Sequence, residues 1–153
     1  MYFCVRIKNM LQRIQSIYLL IAAILAGGII YLLPLWTNNN GEEFFLNSLI
    51  QSSDWKQISM VVAFGLSGLL SFIAIFLYKN RKQQIGINRF NIVVNFYLLG
   101  IIVYHLLILP GESEISEKGI GLFLPVLVIV FLVLANKSIL KDEKLVKSVD
   151  RLR

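Results

Sequence analysis

Polar side chains set into long apolar runs are the groups best placed to do chemistry in this sequence, because a bilayer makes them costly and therefore purposeful. Three stand in or at the edge of the third apolar run: Asn91 and Asn95, four residues apart toward one side, and His105 toward the other. Asn95 is the deepest. An amide in hydrocarbon seeks a partner on a neighbouring helix, with interhelical bonds averaging about 0.6 kcal/mol. Asn91 and Asn95 therefore serve either as glue between helices or as part of a ligand or ion path. His105 is the sole histidine, so one copy holds no bis-His haem and no histidine-based metal site. Beside Tyr104 it fits an interfacial hydrogen bond. A proton relay would want a buried carboxylate, and no apolar run supplies one.

Cys4 is the single cysteine, which excludes an intrachain disulfide, a thiol-pair oxidoreductase and a Cys-based zinc or iron–sulfur site within one copy. Walker loops, G-x-S-x-G, H-E-x-x-H and dinucleotide fingerprints are absent. The sequence thus predicts no cofactor, no metal and no enzyme. A lipid-acting enzyme would require acids gathered at a headgroup pocket.

Positioning these residues falls to four apolar stretches, at about 14–36, 58–78, 92–109 and 120–135, none with Lys, Arg, Asp or Glu in its interior. Each is long enough to cross a hydrocarbon core of about 30 Å. The chain of 153 residues is 57% hydrophobic and 16% charged, with a mean hydropathy of +0.72. Soluble domains carry about 25% charged residues. The expected fold is an all-α membrane protein, one four-transmembrane-helix bundle occupying 1–153. The first stretch exceeds a signal-peptide core and lacks a clear cleavage site before Pro34, so it reads as a retained helix.

Orientation follows from charge, because Lys and Arg accumulate on the cytoplasmic side. Arg6, Lys8 and Arg13 precede the first stretch; Lys79, Arg81, Lys82 and Arg89 lie between the second and third; Lys137, Lys141, Lys144, Lys147, Arg151 and Arg153 follow the fourth. Only Lys56 and Lys118 fall in the other two loops, which carry six of the nine acids. Both termini are expected in the cytoplasm. The net charge of +6 edges apolar runs rather than forming a nucleic-acid stripe, so its expected partner is the lipid bilayer, through anionic headgroups, and not nucleic acid.

The first outer loop opens on Asn38-Asn39-Asn40-Gly41 and then places Phe44, Phe45, Leu46, Leu49 and Ile50 at helical spacing, predicting a short helix on the bilayer surface between Trp36 and Trp55. The second outer loop is short and acidic, and neither reads as a folded domain. The tail at 137–153 keeps apolar residues at helical spacing among its charges, with Glu143 and Lys147 in a favourable i, i+4 pair. It reads as a cytoplasmic amphipathic helix, lying on the membrane or docking a partner. Small residues, among them Ala22, Ala26, Gly27 and Gly28 in the first stretch and Ala63, Ser67, Gly68 and Ser71 in the second, form a packing face.

Three segments resemble one family: Leu11-Gln12-Arg13-Ile14-Gln15-Ser16-Ile17-Tyr18-Leu19; Lys79-Asn80-Arg81-Lys82-Gln83-Gln84-Ile85; and the tail from Lys141 through Ser148 and on to Asp150-Arg151-Leu152-Arg153. They are similar to the Bacteroidetes membrane family known as domain of unknown function 4293, from Met10 nearly to the end. The resemblance implies a multi-pass four-helix protein of a bacterial inner membrane, and implies no activity. It draws attention to Arg13, Gln15, Asp150 and Arg151, which could meet in a charged cluster at the cytoplasmic helix ends or simply anchor the topology. The leading expectation is a non-enzymatic accessory, scaffold or assembly subunit of a larger membrane complex, with a membrane-protein partner or a second copy. The alternative is an oligomeric channel or transporter of a small solute built around Asn91, Asn95 and His105.

Overall fold

The computed structural model describes residues 2–37, 43–51, 55–108 and 117–151. Four long helices dominate it: α1 (Tyr2–Gly27), α2 (Trp55–Phe76), α3 (Arg81–Ile108) and α4 (Leu124–Arg151). All four contain a stretch long and apolar enough to cross a membrane. α1 packs on α2 and α4, and α3 completes the square by packing on the same two neighbours. Side-chain bonds fix the antiparallel sense: on α3, Asn91 reaches Ser71 of α2, and one turn later Asn95 reaches the earlier Ser67. Large apolar side chains such as Ile17, Val62, Phe72, Phe96 and Val130 are about half exposed. An outer surface of that kind is suited to lipid and not to water.

Helix ends lie where local chemistry puts them. α1 stops at Gly27-Gly28, where the absence of side chains makes helix continuation costly, and a 3-10 turn (Ile29–Tyr31) leads out. α2 runs into a second 3-10 turn (Leu77–Lys79). Asn80 then turns the chain, its N–H donating to the Leu77 carbonyl at 2.9 Å and its own carbonyl accepting from Gln84 N–H at 3.0 Å. Pro125 sits at the second position of α4, where a missing N–H leaves no helical bond unmade.

The first, third and fourth stretches and both outer loops differ from the sequence expectation, the fourth opening on a 3-10 helix (Ile120–Phe123) before α4 begins. The chain leaves α1 at Gly27 instead of continuing to Trp36, and residues Pro34–Thr37 form strand β1. Expected as a surface helix, Phe44 and Phe45 belong instead to strand β2 (Glu43–Phe45), and only Ser48–Gln51 turns, as a 3-10 helix. The second outer loop contributes β3 (Glu117–Lys118), so both loops join in one three-stranded antiparallel sheet of order β2-β1-β3. Long-range backbone pairing overrides the helical spacing here, since Leu46 and Leu49 are buried under the sheet and do not lie on the bilayer. Gly119 is indispensable to this closure: its N–H donates to the Leu35 carbonyl at 2.9 Å. A Cβ there would collide with the Pro34 and Leu35 carbonyls. The tail continues α4 without a break to Arg151.

The core divides along the bundle axis. Toward the sheet, large side chains interlock: Ile30, Leu35, Leu46, Leu49, Met60, Phe64, Leu98 and Ile102. Toward the end holding Gln15, Arg81 and Asp142, hereafter the charged end, the apolar cluster consists of Leu19, Val128, Leu132 and the alanines 22, 26, 74 and 135. The small residues bring α1 against α2. A Cβ on Gly68 would lie 2.8 Å from Gly27 Cα. Gly68→Val is expected to destabilise the bundle by about 1–3 kcal/mol when unfolding is followed in mixed micelles. Gly100→Ala, where nothing lies within 4 Å, leaves the transition unchanged; equal effects at both sites would refute the close approach.

Candidate functional site

α3 carries the interior polar groups. Gln84, Asn88, Asn91 and Asn95 recur at helical spacing and fall within about 60° of one helix face at 3.6 residues per turn. All four are buried. α3 begins at Arg81, eleven positions before the expected start at 92, because residues 81–91 keep a helical period whose buried face is amide instead of apolar.

The outer pair is tied to α2. Asn91 Nδ2 donates to Ser71 Oγ at 2.8 Å and to the Ser67 carbonyl at 3.0 Å. Asn95 Nδ2 donates to Ser67 Oγ at 2.7 Å, to the Asn91 carbonyl at 2.9 Å and to Asn91 Oδ1 at 3.1 Å. Nearer the charged end, Asn88 Nδ2 donates to Asn136 Oδ1 of α4 at 3.0 Å, and Gln84 Nε2 donates to the Ala74 carbonyl in the last turns of α2 at 2.9 Å. The series therefore stitches α3 to both of its neighbours.

At the charged end the polar series meets charge. Asp142 of α4 is only 3% exposed, so its carboxylate must be compensated locally. Gln15 Nε2 of α1 donates to Asp142 Oδ2 at 3.2 Å, and Arg81 Nη2 of α3 pairs with the same oxygen at 3.4 Å. One carboxylate thus joins three helices. Arg81 is 23% exposed at its side chain, so its charge reaches solvent while its partner does not.

The structure brings together Asn91 and Asn95, as their spacing implies, and it buries both against α2 of their own chain. It gives Gln15 the partner Asp142, whose carboxylate also pairs with Arg81. The side chains of Arg13, His105, Asp150 and Arg151 lie outside the described residues. Gln84, Asn88, Asn136 and Asp142 are not among the residues the sequence singles out, and Ser67 and Ser71 do more than pack. The signal was present: four amide residues at positions 84, 88, 91 and 95 mark one helical face once the helix is allowed to start at Arg81.

Chemically the arrangement is rich in amides and poor in reactive groups. Among the described residues no three His, Cys, Asp or Glu gather to hold a metal ion. At the opposite end Lys56 Nζ donates to Tyr104 Oη at 2.7 Å and lies 4.2 Å from its ring centroid, fastening α2 to α3. A separate groove of about 620 Å³ opens between α1 and α2, with Leu20, Ile24, Tyr31, Leu69 and Phe72 among its walls. Its described walls carry no charge. It can receive an acyl chain but offers that chain nothing more specific than shape.

Removing the shared carboxylate tests the node. Asp142→Ala leaves Gln15 and Arg81 without their acceptor and is expected to cost about 1–3 kcal/mol in reversible unfolding from mixed micelles. Asp142→Asn, which still accepts from Gln15, costs less. The exposed neighbour Lys141→Ala stays within about 0.5 kcal/mol of the parent. A silent Asp142→Ala would show that the node carries no stability.

Neither a curated protein nor a solved structure matches this chain. One family model does, over residues 11–152, which include the greater part of α1, all of α2, α3 and α4, the amide series with its Asp142 node, and all three strands. The chain is therefore a membrane-type four-helix member of the family described as Domain of unknown function (DUF4293).

Proposed function

We infer that this protein is a non-enzymatic accessory or assembly subunit of a membrane complex, with the charged end of the bundle in the cytoplasm as its docking face. The bacterial inner membrane is the setting the family resemblance implies. The cytoplasmic placement rests on the basic residues, thirteen of fifteen of which belong to that end and its flanking segments.

The observation that carries this reading is the build of α4. Its 28 residues span about 42 Å at 1.5 Å per residue, well beyond a hydrocarbon core of about 30 Å. The helix is held in place at the point of emergence, where Asp142 is clamped by Gln15 and Arg81. Opposite that clamp, Lys137, Lys141 and Lys144 recur on one face and are all exposed. A rigid basic face projecting from a membrane suits an acidic protein surface, with anionic headgroups as its companions.

The channel alternative receives less support. Asn91 and Asn95 are fully buried within one copy, so they are not available to line a pore between copies. Purification of the native protein in mild detergent, after cross-linking through lysine, is expected to recover a stoichiometric protein partner. The triple variant Lys137→Glu, Lys141→Glu, Lys144→Glu, with the bundle still folded, should lose most of it. Recovery of only the monomer or a homo-oligomer would overturn this reading.

A further inference from the structure

The amide series has unmet demand. Three buried oxygens, Gln84 Oε1, Asn88 Oδ1 and Asn95 Oδ1, accept no hydrogen bond from the protein. Each such group, left unpaired, loses its solvation with nothing to replace it. Exchanging amide oxygen and nitrogen brings no relief. Turning Gln84 would set its oxygen against the Ala74 carbonyl, and turning Asn95 would set its oxygen against both the carbonyl and Oδ1 of Asn91. Turning Asn88 and Asn136 together only moves the deficit to Asn88 Nδ2.

What satisfies them must be a donor and must be small. Gln84 is 3% exposed, and Asn88 and Asn95 are not exposed at all, so no side chain of another subunit reaches them. One cation does not serve all three. Gln84 and Asn95 stand eleven residues apart on α3, about 16 Å along the axis, whereas a cation such as Ca²⁺ binds its oxygens at about 2.3–2.6 Å. Water meets each requirement, since a buried water typically makes about three hydrogen bonds to otherwise unsatisfied groups.

We propose that the buried face of α3 lines a hydrated, dead-ended track running from the Arg81–Asp142 pair to Asn95, occupied by a file of water molecules. Its mouth is at the charged end, where Gln84 lies one turn from the partly exposed Arg81. Small residues flank its course: Ser67 and Ser71 on α2 and Ala74 beyond them. Asn95 lies fourteen residues beyond Arg81, about 21 Å at 1.5 Å per residue, deep within the membrane-length stretch Arg81–Tyr104. Past Asn95 the next buried residues of α3 are Leu98 and Ile102, packed with Phe64 and Met60. That cluster is dry and closes the track. Water enters from one end of the bundle, reaches Asn95 and goes no further.

Water-edited solid-state NMR on the full chain, ¹⁵N-labelled and reconstituted in phosphatidylcholine/phosphatidylglycerol vesicles, tests this directly. Magnetisation from water is expected to reach the side-chain amides of Gln84, Asn88 and Asn95 several-fold faster than the backbone amides of Leu98 and Ile102. Gln84→Leu, which blocks the mouth, should slow transfer to Asn95 without altering the α-helical spectrum. Transfer to Asn95 as slow as to Leu98 in the parent chain would overturn the track. Transfer to Asn95 that stays equally fast in the Gln84→Leu variant would overturn its mouth.

Discussion

A hydrogen bond made inside a bilayer has no cheap substitute, and the amide face of α3 lives under that constraint. Four amide side chains on one face cannot point at lipid without leaving donors and acceptors unpaired. They turn inward, and doing so fixes the rotation of α3 about its axis. Serines, not larger residues, face Asn91 and Asn95 because a hydroxyl is small enough to let α2 approach and polar enough to answer an amide. Asn136 on α4 answers Asn88 in the same way.

From that rotation the remaining architecture follows. With α3 set against both α2 and α4, α1 is left to pack on the other side of the same pair, and its contact with α2 is close enough that glycine is required at position 68. The two halves of the core take different chemistries. One is filled by interlocking large apolar side chains beneath a small sheet. The other mixes alanine, serine and amide, ending on a carboxylate shared by α1 and α3. Sheet and node close the bundle at its opposite ends. They differ in kind: the sheet joins loops through backbone bonds, whereas the node joins helices through side chains.

Much of this was legible in the sequence, and the exceptions have physical reasons. Hydropathy located four helices long and apolar enough to cross a membrane because each apolar run exceeds what a soluble core element needs. The pairing of Asn91 with Asn95 was legible because i, i+4 residues share a helix face. Where α3 begins was not, since a hydropathy boundary reports where charge ends, and this helix starts among charges and buries amides there. The sheet escaped notice because its strands are two to four residues long and its pairing depends on residues some eighty positions apart. Gln15 stood out in the sequence, but its partner Asp142 lies 127 residues away on another helix.

A double-mutant cycle between Asn91 and Ser71 measures the central interaction most directly. Unfolding free energies in mixed micelles would be compared for the parent, Asn91→Ala, Ser71→Ala and the double variant. Dependence of the bundle on α3's buried amides predicts a favourable coupling of about 0.6 kcal/mol or more. Strictly additive single effects would contradict it and return the arrangement of the helices to apolar packing alone.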